Sequence, residues 1–451
     1  MKSINTHNNR AGWLTEIFAR RRAALLGGTT NLADALLGMR YLVDARKLVK
    51  GPAIAEYEQA FARKIGVRHA VSFSSGRVGF YGLLRILGVG PGDEVLLQAP
   101  THIVVANAIR YAGARPVYVD CSADTINMDM AQAEQKITPK TKVLLLQHTF
   151  GIPADVETAL ALARRHGLVV IEDCVHALGA RYDGKLVGSF GKAAFFSTEE
   201  TKTISTTMGG MVVTDDPDLA EKIQEFRESC PWPSAWLTAK YVLKFVLYYF
   251  LTQPHLHRYT RTLYELFGRR QPLPRPTDDQ ELLGKRPASY EQRLSNAQAA
   301  IGLRQLQRLE ENLEHRRTLS NFYRRELVKL GLQVPLPPPK AEPAFVRYPA
   351  WVKDRDTVVN LTSPCLVLGT WFTSVLEEAV SPECGAYELG TCPQAEAAAR
   401  HLINLPTHPR VSLRDASAIV AAVARSLGPD SKPAEIKAFS VPLVQPEHPR
   451  R

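Results

Sequence analysis

From Gly51 onward, short wholly apolar runs alternate with longer stretches whose apolar residues recur at helical spacing. EYEQAFARKIG (56–66) predicts a helix by that spacing, and HAVSF (69–73) predicts a strand. SSGRVGFYGLLRILGV then reads as a turn and helix, DEVLLQAP as a strand, THIVVANAIRYAGA as a helix and RPVYVD as a strand. KVLLLQHTFG (142–151), ALALARRHG (159–167) and LVVIEDC (168–174) continue the alternation. Strands that are apolar throughout, with helices between them, indicate an α/β fold around a mainly parallel sheet covered on both faces. Such sheets bind ligands beyond the carboxyl ends of their strands. Functional residues are therefore expected just after VSF, LLQAP, LLLQ and VVIE.

Outside that block the pattern changes. Residues 1–50 form a basic, partly amphipathic extension, expected to be helical, with the run Arg20 to Arg22; residues 51–228 form the large unit. SAWLTAKYVLKFVLYYFLTQ (234–253) is the most apolar and aromatic stretch. Pro254, a basic segment to Arg270 and the Pro-rich QPLPRPTDDQ (271–280) follow, so 229–285 reads as a helical insertion with a linker. A long amphipathic helix region over 290–330 leads into a smaller mixed unit from about Val334 to Leu427. This gives 286–427 as linking helix and small α+β C-terminal domain, and 428–451 as a loose tail.

The insertion has roughly the length of a membrane-crossing helix, but Lys240 and Lys244 interrupt it and argue against a span. One reading is a helix buried against a second subunit or covering the active site. The other is contact with a membrane surface, suggested by Trp232, Trp236, Tyr241, Tyr248 and Tyr249 and by Arg258, Arg261, Arg269 and Arg270 beyond them.

Composition narrows the class. A chain of 451 residues exceeds one simple core, and 45% hydrophobic with 22% charged residues is that of a soluble globular protein. Six cysteines show no CxxC pair and no ligand spacing, which argues against a disulfide framework or a metal site and fits a reducing cytoplasm. A net charge of +11 is first a solvated basic surface, and second a means of attracting an anionic partner such as a nucleotide-linked substrate or acidic lipid. No motif with the interleaved aromatics of nucleic-acid binding is present, so no nucleic-acid partner is expected. MKSINTHNNRAGW lacks the basic start and apolar core of a secretory signal.

Three segments carry candidate chemistry. LVVIEDCVHALGA (168–180) ends a buried strand with Glu172 and Asp173. A buried carboxylate needs a cation or protonated nitrogen, which a pyridinium ring offers; a helix cap or surface turn is the plainer alternative. AAFFSTEETKTISTTMGGMVVTDD (193–216) delivers Ser197 and then the loop's single lysine, Lys202. That lysine is either solvated or, if partly desolvated, able to form a Schiff base with the aldehyde of pyridoxal phosphate (PLP). In SFSSGRVGF (72–80), Ser74, Ser75 and Gly76 open a helix whose N–H groups suit a phosphate, and Arg77 adds a forked positive charge.

Together these segments resemble the DegT/DnrJ/StrS sugar aminotransferases of the aspartate-aminotransferase fold superfamily. The resemblance runs from about Gly51 to Asp216, resumes at RLSNAQAAIGLRQL (293–306) and closes with CPQAEAAARHLINLPTHPRV (392–411). PGDEV, YAGARPVYVD, ITPKTKVLLL, GIPAD, HGLVVIEDCVHALGA and the Ser197-to-Lys202 interval all look like family blocks. It implies a PLP-dependent transferase of fold type I, with a sheet of the seven-stranded type flanked by helices. By the same resemblance Lys202 matches the lysine that carries PLP and moves the proton between substrate and cofactor carbons. Asp173 matches the partner of the ring nitrogen, and His176 stands where a Gln or His lies beside the ring. Ser197, Ser75 and Gly76 match phosphate-binding positions.

Arg77 stands where the family often has Thr, and His102 where an aromatic residue often stacks on the ring. Glu291–Gln292–Arg293 replaces the segment that commonly offers an Asn across the subunit boundary; a carboxylate there repels phosphate. Glu199 and Glu200 are unusual in the lysine loop and are read as exposed rather than as substrate ligands. The resemblance further implies a homodimer that takes an amino group from glutamate and passes it to a keto substrate. That substrate would be a nucleotide-linked ketosugar, or a lipid-linked keto compound, in cell-surface or secondary-metabolite biosynthesis. The enzyme would be cytoplasmic or peripheral on the inner membrane surface. Two rivals are a PLP-dependent sugar dehydratase, whose relatives replace the lysine with histidine, and a non-catalytic membrane-associated regulator. Lys202 argues against the first, and intact Lys202, Asp173 and Ser197 against the second.

Overall fold

A computed structural model describes residues 28–253, 256, 276–362 and 368–427. The Arg20–Arg22 run, the basic segment from Arg258 to Arg270, Cys365 and the expected tail lie outside the described residues.

Seven strands form one sheet: β1 (His69–Phe73), β2 (Glu94–Gln98), β3 (Arg115–Val119), β4 (Thr141–Gln147), β5 (Val169–Asp173), β6 (Ala193–Ser197) and β7 (Gly210–Thr214). Their order is β1-β7-β6-β5-β4-β2-β3. All neighbours are parallel except β7, which runs antiparallel to both β1 and β6. The wholly apolar strands follow from burial on both faces. In β4, Val143 and Leu145 join one core, while Leu144 and Leu146 join the other.

Helix α1 (Leu32–Val43) precedes the sheet. Helices α2 (Ala53–Ile65) and α5 (Val156–His166) cover one face through Tyr57, Phe61, Ala159 and Leu162. Between them in sequence, α3 (Gly76–Ile86) and α4 (Ile103–Tyr111) cover the other through Phe80, Leu83, Ala106 and Ile109. Glycines in left-handed conformation close α2 and α5 at Gly66 and Gly167, where a Cβ would be strained.

The insertion folds as helix α6 (Ala235–Leu251), capped by Ser234. One face packs on α1 and on α7 (Asn296–Leu306), gathering Leu48, Val242, Phe245, Ala297 and Ile301. Gly38 of α1 permits the close approach, since a Cβ there would lie 2.9 Å from a Val246 methyl. The opposite face exposes Trp236, Leu243, Leu247, Phe250 and Leu251. Among the described residues no helix is long and apolar enough to cross a membrane.

The long helix expected over 290–330 is two helices. Residues 290–295 have no regular secondary structure, and a turn at 307–308 separates α7 from α8 (Leu309–Lys329). The turn lets α7 lie against α2 while Leu319, Tyr323 and Leu327 of α8 join a separate C-terminal core. That core also contains β8 (Arg347–Trp351), its antiparallel partner β9 (Leu402–Pro406) and α9 (Leu413–Ser426).

The turn that opens α3 is packed backbone to backbone against β7. A Cβ at Gly210 would collide with the Gly76 nitrogen and the Ser75 carbonyl carbon, which cannot swing away as side chains do. Gly210→Ala should therefore destabilise the protein by about 1–3 kcal/mol or more in urea unfolding, in the range of overpacked cores. An unchanged midpoint and slope would show that the approach is looser than described.

Candidate active site

The strand ends do converge. Ser75 after β1, Thr101 and His102 after β2, Gln147 at the end of β4, Asp173 at the end of β5 and Ser197 at the end of β6 all line one cavity of about 300 Å³. Gly76, Arg77, His176 and Lys202 line it too, so all eight sequence-predicted site residues face the same space. The ladder sets this alignment, because Gln147 pairs with Asp173, and Asp173 pairs with Phe195.

Successive strand residues point to opposite faces, and this separates the two acidic neighbours. Glu172 turns away from the cavity. Its oxygens accept hydrogen bonds from the backbone N–H groups of Gly188 (2.7 Å), Phe190 (2.7 Å) and Gly191 (2.8 Å). His148 Nε2 lies 3.2 Å away, and because His148 Nδ1 accepts from the Ala154 N–H, Nε2 is the donor. Burial alone would raise the Glu172 carboxyl; these bonds more than offset it and hold it below its ordinary value. Glu172 is therefore structural. It ties β5 to the 188–191 turn, and although His148, Glu172 and Cys174 are clustered, the carboxylate is already satisfied.

Asp173 is 1% exposed. Its Oδ1 accepts from the Val175 N–H at 3.1 Å, while Oδ2 has no hydrogen-bond partner. Burial pushes its carboxyl up to about 6, against the opposing pull of the Val175 N–H and Lys202. Lys202 is buried as well, and burial, with Arg347 nearby, brings its amine down to about 8, while Glu199, Asp173 and Glu378 oppose the shift. The Lys202 Nζ lies 4.6 Å from the centre of the Trp371 ring. The His176 ring also packs on Trp371, 4.7 Å between centres, and burial with the Lys202 charge holds His176 neutral.

Ser75 is the N-cap residue of α3, yet its hydroxyl makes no capping bond and is buried without a partner. A capping serine normally accepts from the first turn; this one leaves the N–H groups of the turn free for an anion. Its neighbour Gly76 abuts the end of β6, where a Cβ would stand 2.8 Å from the Phe196 carbonyl oxygen. Ser197, half-buried, receives the Glu199 N–H at 3.3 Å. Arg77 is drawn aside. Its guanidinium donates to the Pro276 carbonyl (2.9 Å) and pairs with buried Glu281 (3.0 Å). His102 caps α4 through Nδ1 and faces Glu378 through Nε2 at 3.4 Å. Glu291 pairs with Arg286.

The expectation that Glu199 and Glu200 are exposed is wrong. Glu199 is half-buried in the cavity wall, its carboxylate held by the Thr201 hydroxyl (2.6 Å) and N–H (3.2 Å). Glu200 is buried because Lys244 of the insertion lies 2.7 Å from it. A loop glutamate reads as solvated until its partner, 44 positions later, is folded onto it.

Two further cavity residues escaped the sequence reading. Arg347 is 5% exposed, and among the described residues no carboxylate pairs with it; its guanidinium lies 4.3 Å from the Trp371 ring centre. Burial brings it down to about 10. An arginine inside the apolar strand VRYPAWV was a usable signal; Trp371, in an irregular segment, offered none.

The donor set fits PLP. Asp173 Oδ2 and Ser75 Oγ are buried orphans that would suit the ring nitrogen and the phosphate, and Lys202 is an amine partly relieved of its proton. These features, in this sheet order, define a PLP-dependent aminotransferase of fold type I. Residues 33–236 and 250–424 match the DegT/DnrJ/EryC1/StrS aminotransferase family, and the chain belongs to it.

Among its relatives, the UDP-N-acetyl-3-dehydro-alpha-D-glucosamine 3-aminotransferase of Acidithiobacillus ferrooxidans is 30% identical, over 87% of this chain and 94% of that protein. The GDP-perosamine synthase of Caulobacter vibrioides is 36% identical over 64% of this chain, and the match spans 65% of that relative's length. The crystal structure of S. venezuelae DesV in complex with a ketimine intermediate superposes with a TM-score of 0.69 at 28% identity, covering 87% of this chain and 94% of that one.

Two outcomes are expected. Only a neutral amine attacks an aldehyde, so PLP uptake by cofactor-free protein, trapped by borohydride, should rise with pH and level off above about 8. A plateau displaced to the ordinary lysine value of 10.5 would contradict the desolvated Lys202. If the unpartnered oxygen of the Asp173 carboxylate holds the ring nitrogen, Asp173→Asn removes that charge and should weaken PLP retention about 10- to 100-fold in equilibrium dialysis, the worth of one charged hydrogen bond. Unchanged retention would place the ring elsewhere.

Proposed function

We propose that this protein transfers an amino group from glutamate to the keto carbon of a nucleotide-linked sugar. The observation that carries the proposal is a buried amine, Lys202, facing the same cavity as the half-satisfied carboxylate of Asp173. Bound PLP would supply an aldehyde that takes up the amino group and a ring that accepts electron density.

The chain's residues do the rest. Asp173 holds a proton at the ring nitrogen. Ser75, Gly76 and Ser197 would receive the phosphate, and His176 and His102, which line the same cavity, would stand beside the ring. Lys202 accepts a proton at Nζ and returns it, a role suited to an amine brought near neutrality. Arg347, charged, near Lys202 and without a carboxylate partner among the described residues, suits a carboxylate of the amino donor. Trp371 packs against Lys202, Arg347 and His176 and keeps water from them.

A sugar carrying a nucleoside diphosphate is supported by the names of two relatives, one a GDP-perosamine synthase and the other acting on a UDP-linked dehydro sugar. The net charge of +11 suits such an anion. A homodimer in the cytoplasm belongs to the same reading, by family resemblance.

The test is spectrophotometric. Glutamate should bleach the visible band of the PLP-loaded enzyme and yield 2-oxoglutarate. GDP- or UDP-linked ketosugars should restore the band, and the same sugars without the nucleotide should not. A band that no amino acid bleaches would contradict amino transfer. Restoration by free ketosugars as readily as by linked ones would contradict the nucleotide-linked acceptor.

A further inference from the structure

The family pattern omits residues 237–249, most of helix α6, yet this helix reaches the loop that carries Lys202. Lys244 Nζ lies 2.7 Å from Glu200 Oε2, with the side chains 5% and 8% exposed. The Tyr248 hydroxyl stands 3.4 Å from the other Glu200 oxygen. On the far side of Lys202, the Thr207 hydroxyl donates to the Tyr241 carbonyl at 3.2 Å. One helix therefore grips the lysine loop at both ends.

The rest of the loop is tied to helices α7 and α8, which lie within the family match. Gln305 of α7 exchanges two hydrogen bonds with the Ser205 backbone, and Asn312 of α8 donates to the Thr203 carbonyl. The Glu199–Thr201 limb, which leads directly into Lys202, is anchored outward through Glu200. Burying a lysine and a glutamate together is costly, and an apolar pair of similar volume would pack as well or better. What the ion pair adds is direction: it fixes one geometry where an apolar contact would allow several.

We propose that α6 is a positioning arm, in which Lys244 acts through Glu200 to orient Lys202 toward the reacting centre. This rests on the reading of Lys202 as the amine carrier. Lys244 does not line the cavity, whereas its partner Glu200 does. It is a positioning residue rather than a catalytic one.

The test uses the full chain with Lys244→Met, Lys244→Arg and Glu200→Gln. In cofactor-free protein, Lys244→Met should speed amide hydrogen exchange over 198–207 by about tenfold while the sheet strands keep their protection. In the PLP-loaded enzyme it should lower kcat by about tenfold with the donor KM within about twofold, and Lys244→Arg should recover most of the loss. Combining Lys244→Met with Lys202→Ala, both assayed with added methylamine standing in for the missing amine, distinguishes positioning from general damage. With Lys202 gone the Lys244 effect should shrink to within about twofold.

An equal loss in both backgrounds, or no change in loop exchange, would overturn the proposal. If Lys244→Met does not fold, Glu200→Gln breaks the same pair with little change of shape and carries the same measurements. If even the wild type transfers no amino group, the functional reading fails, and the exchange measurement still decides whether Lys244 holds the loop.

Discussion

Two buried groups of opposite charge face one cavity and do not close on each other. Asp173 keeps one oxygen unpaired, Lys202 rests against an indole, and no ion pair joins them. Left to itself, such an arrangement collapses or titrates away, and the shifts of both groups toward their neutral forms record that strain. It persists because each group is held from behind. Asp173 sits in register between β4 and β6, while Glu172, one residue earlier, fastens the strand to the 188–191 turn. Lys202 is held by its loop. The gap kept open between them would suit a cofactor with a basic ring nitrogen and an aldehyde, one at each end.

The same economy explains the phosphate end. A serine that caps a helix without making the capping bond, beside a glycine pressed against a neighbouring strand, leaves donors aimed at the cavity. Arg77 contributes less directly than its charge suggested, since Glu281 and the Pro276 carbonyl already engage it. These contacts tie it to Pro276 and Glu281, while it still lines the cavity.

Much of this was legible in the sequence, because local pattern and local chemistry agreed. The apolar runs fell on β1 to β5, with the run at 142–151 extending four residues past the end of β4, and residues at or just after the ends of β1, β2, β4 and β5 reached one cavity. What remained hidden came from distant segments. Arg347 and Trp371 arrive from the C-terminal part of the chain; a charge inside the apolar strand VRYPAWV is the one local sign of the first, and nothing near Trp371 in sequence announces the second. Glu200 looked solvated because its partner lies on an insertion outside the family pattern. The 290–330 region kept its helical periodicity across the turn at 307–308, which neither proline nor glycine marks.

The central claim is that Lys202 is the amine that holds PLP. Borohydride reduction of the PLP-loaded protein, followed by peptide mapping in a mass spectrometer, tests it most directly. The account predicts a single pyridoxyl-modified residue, Lys202, and loss of the label in Lys202→Ala. Stoichiometric label on another lysine, or none at any pH at which the protein is folded, would contradict it.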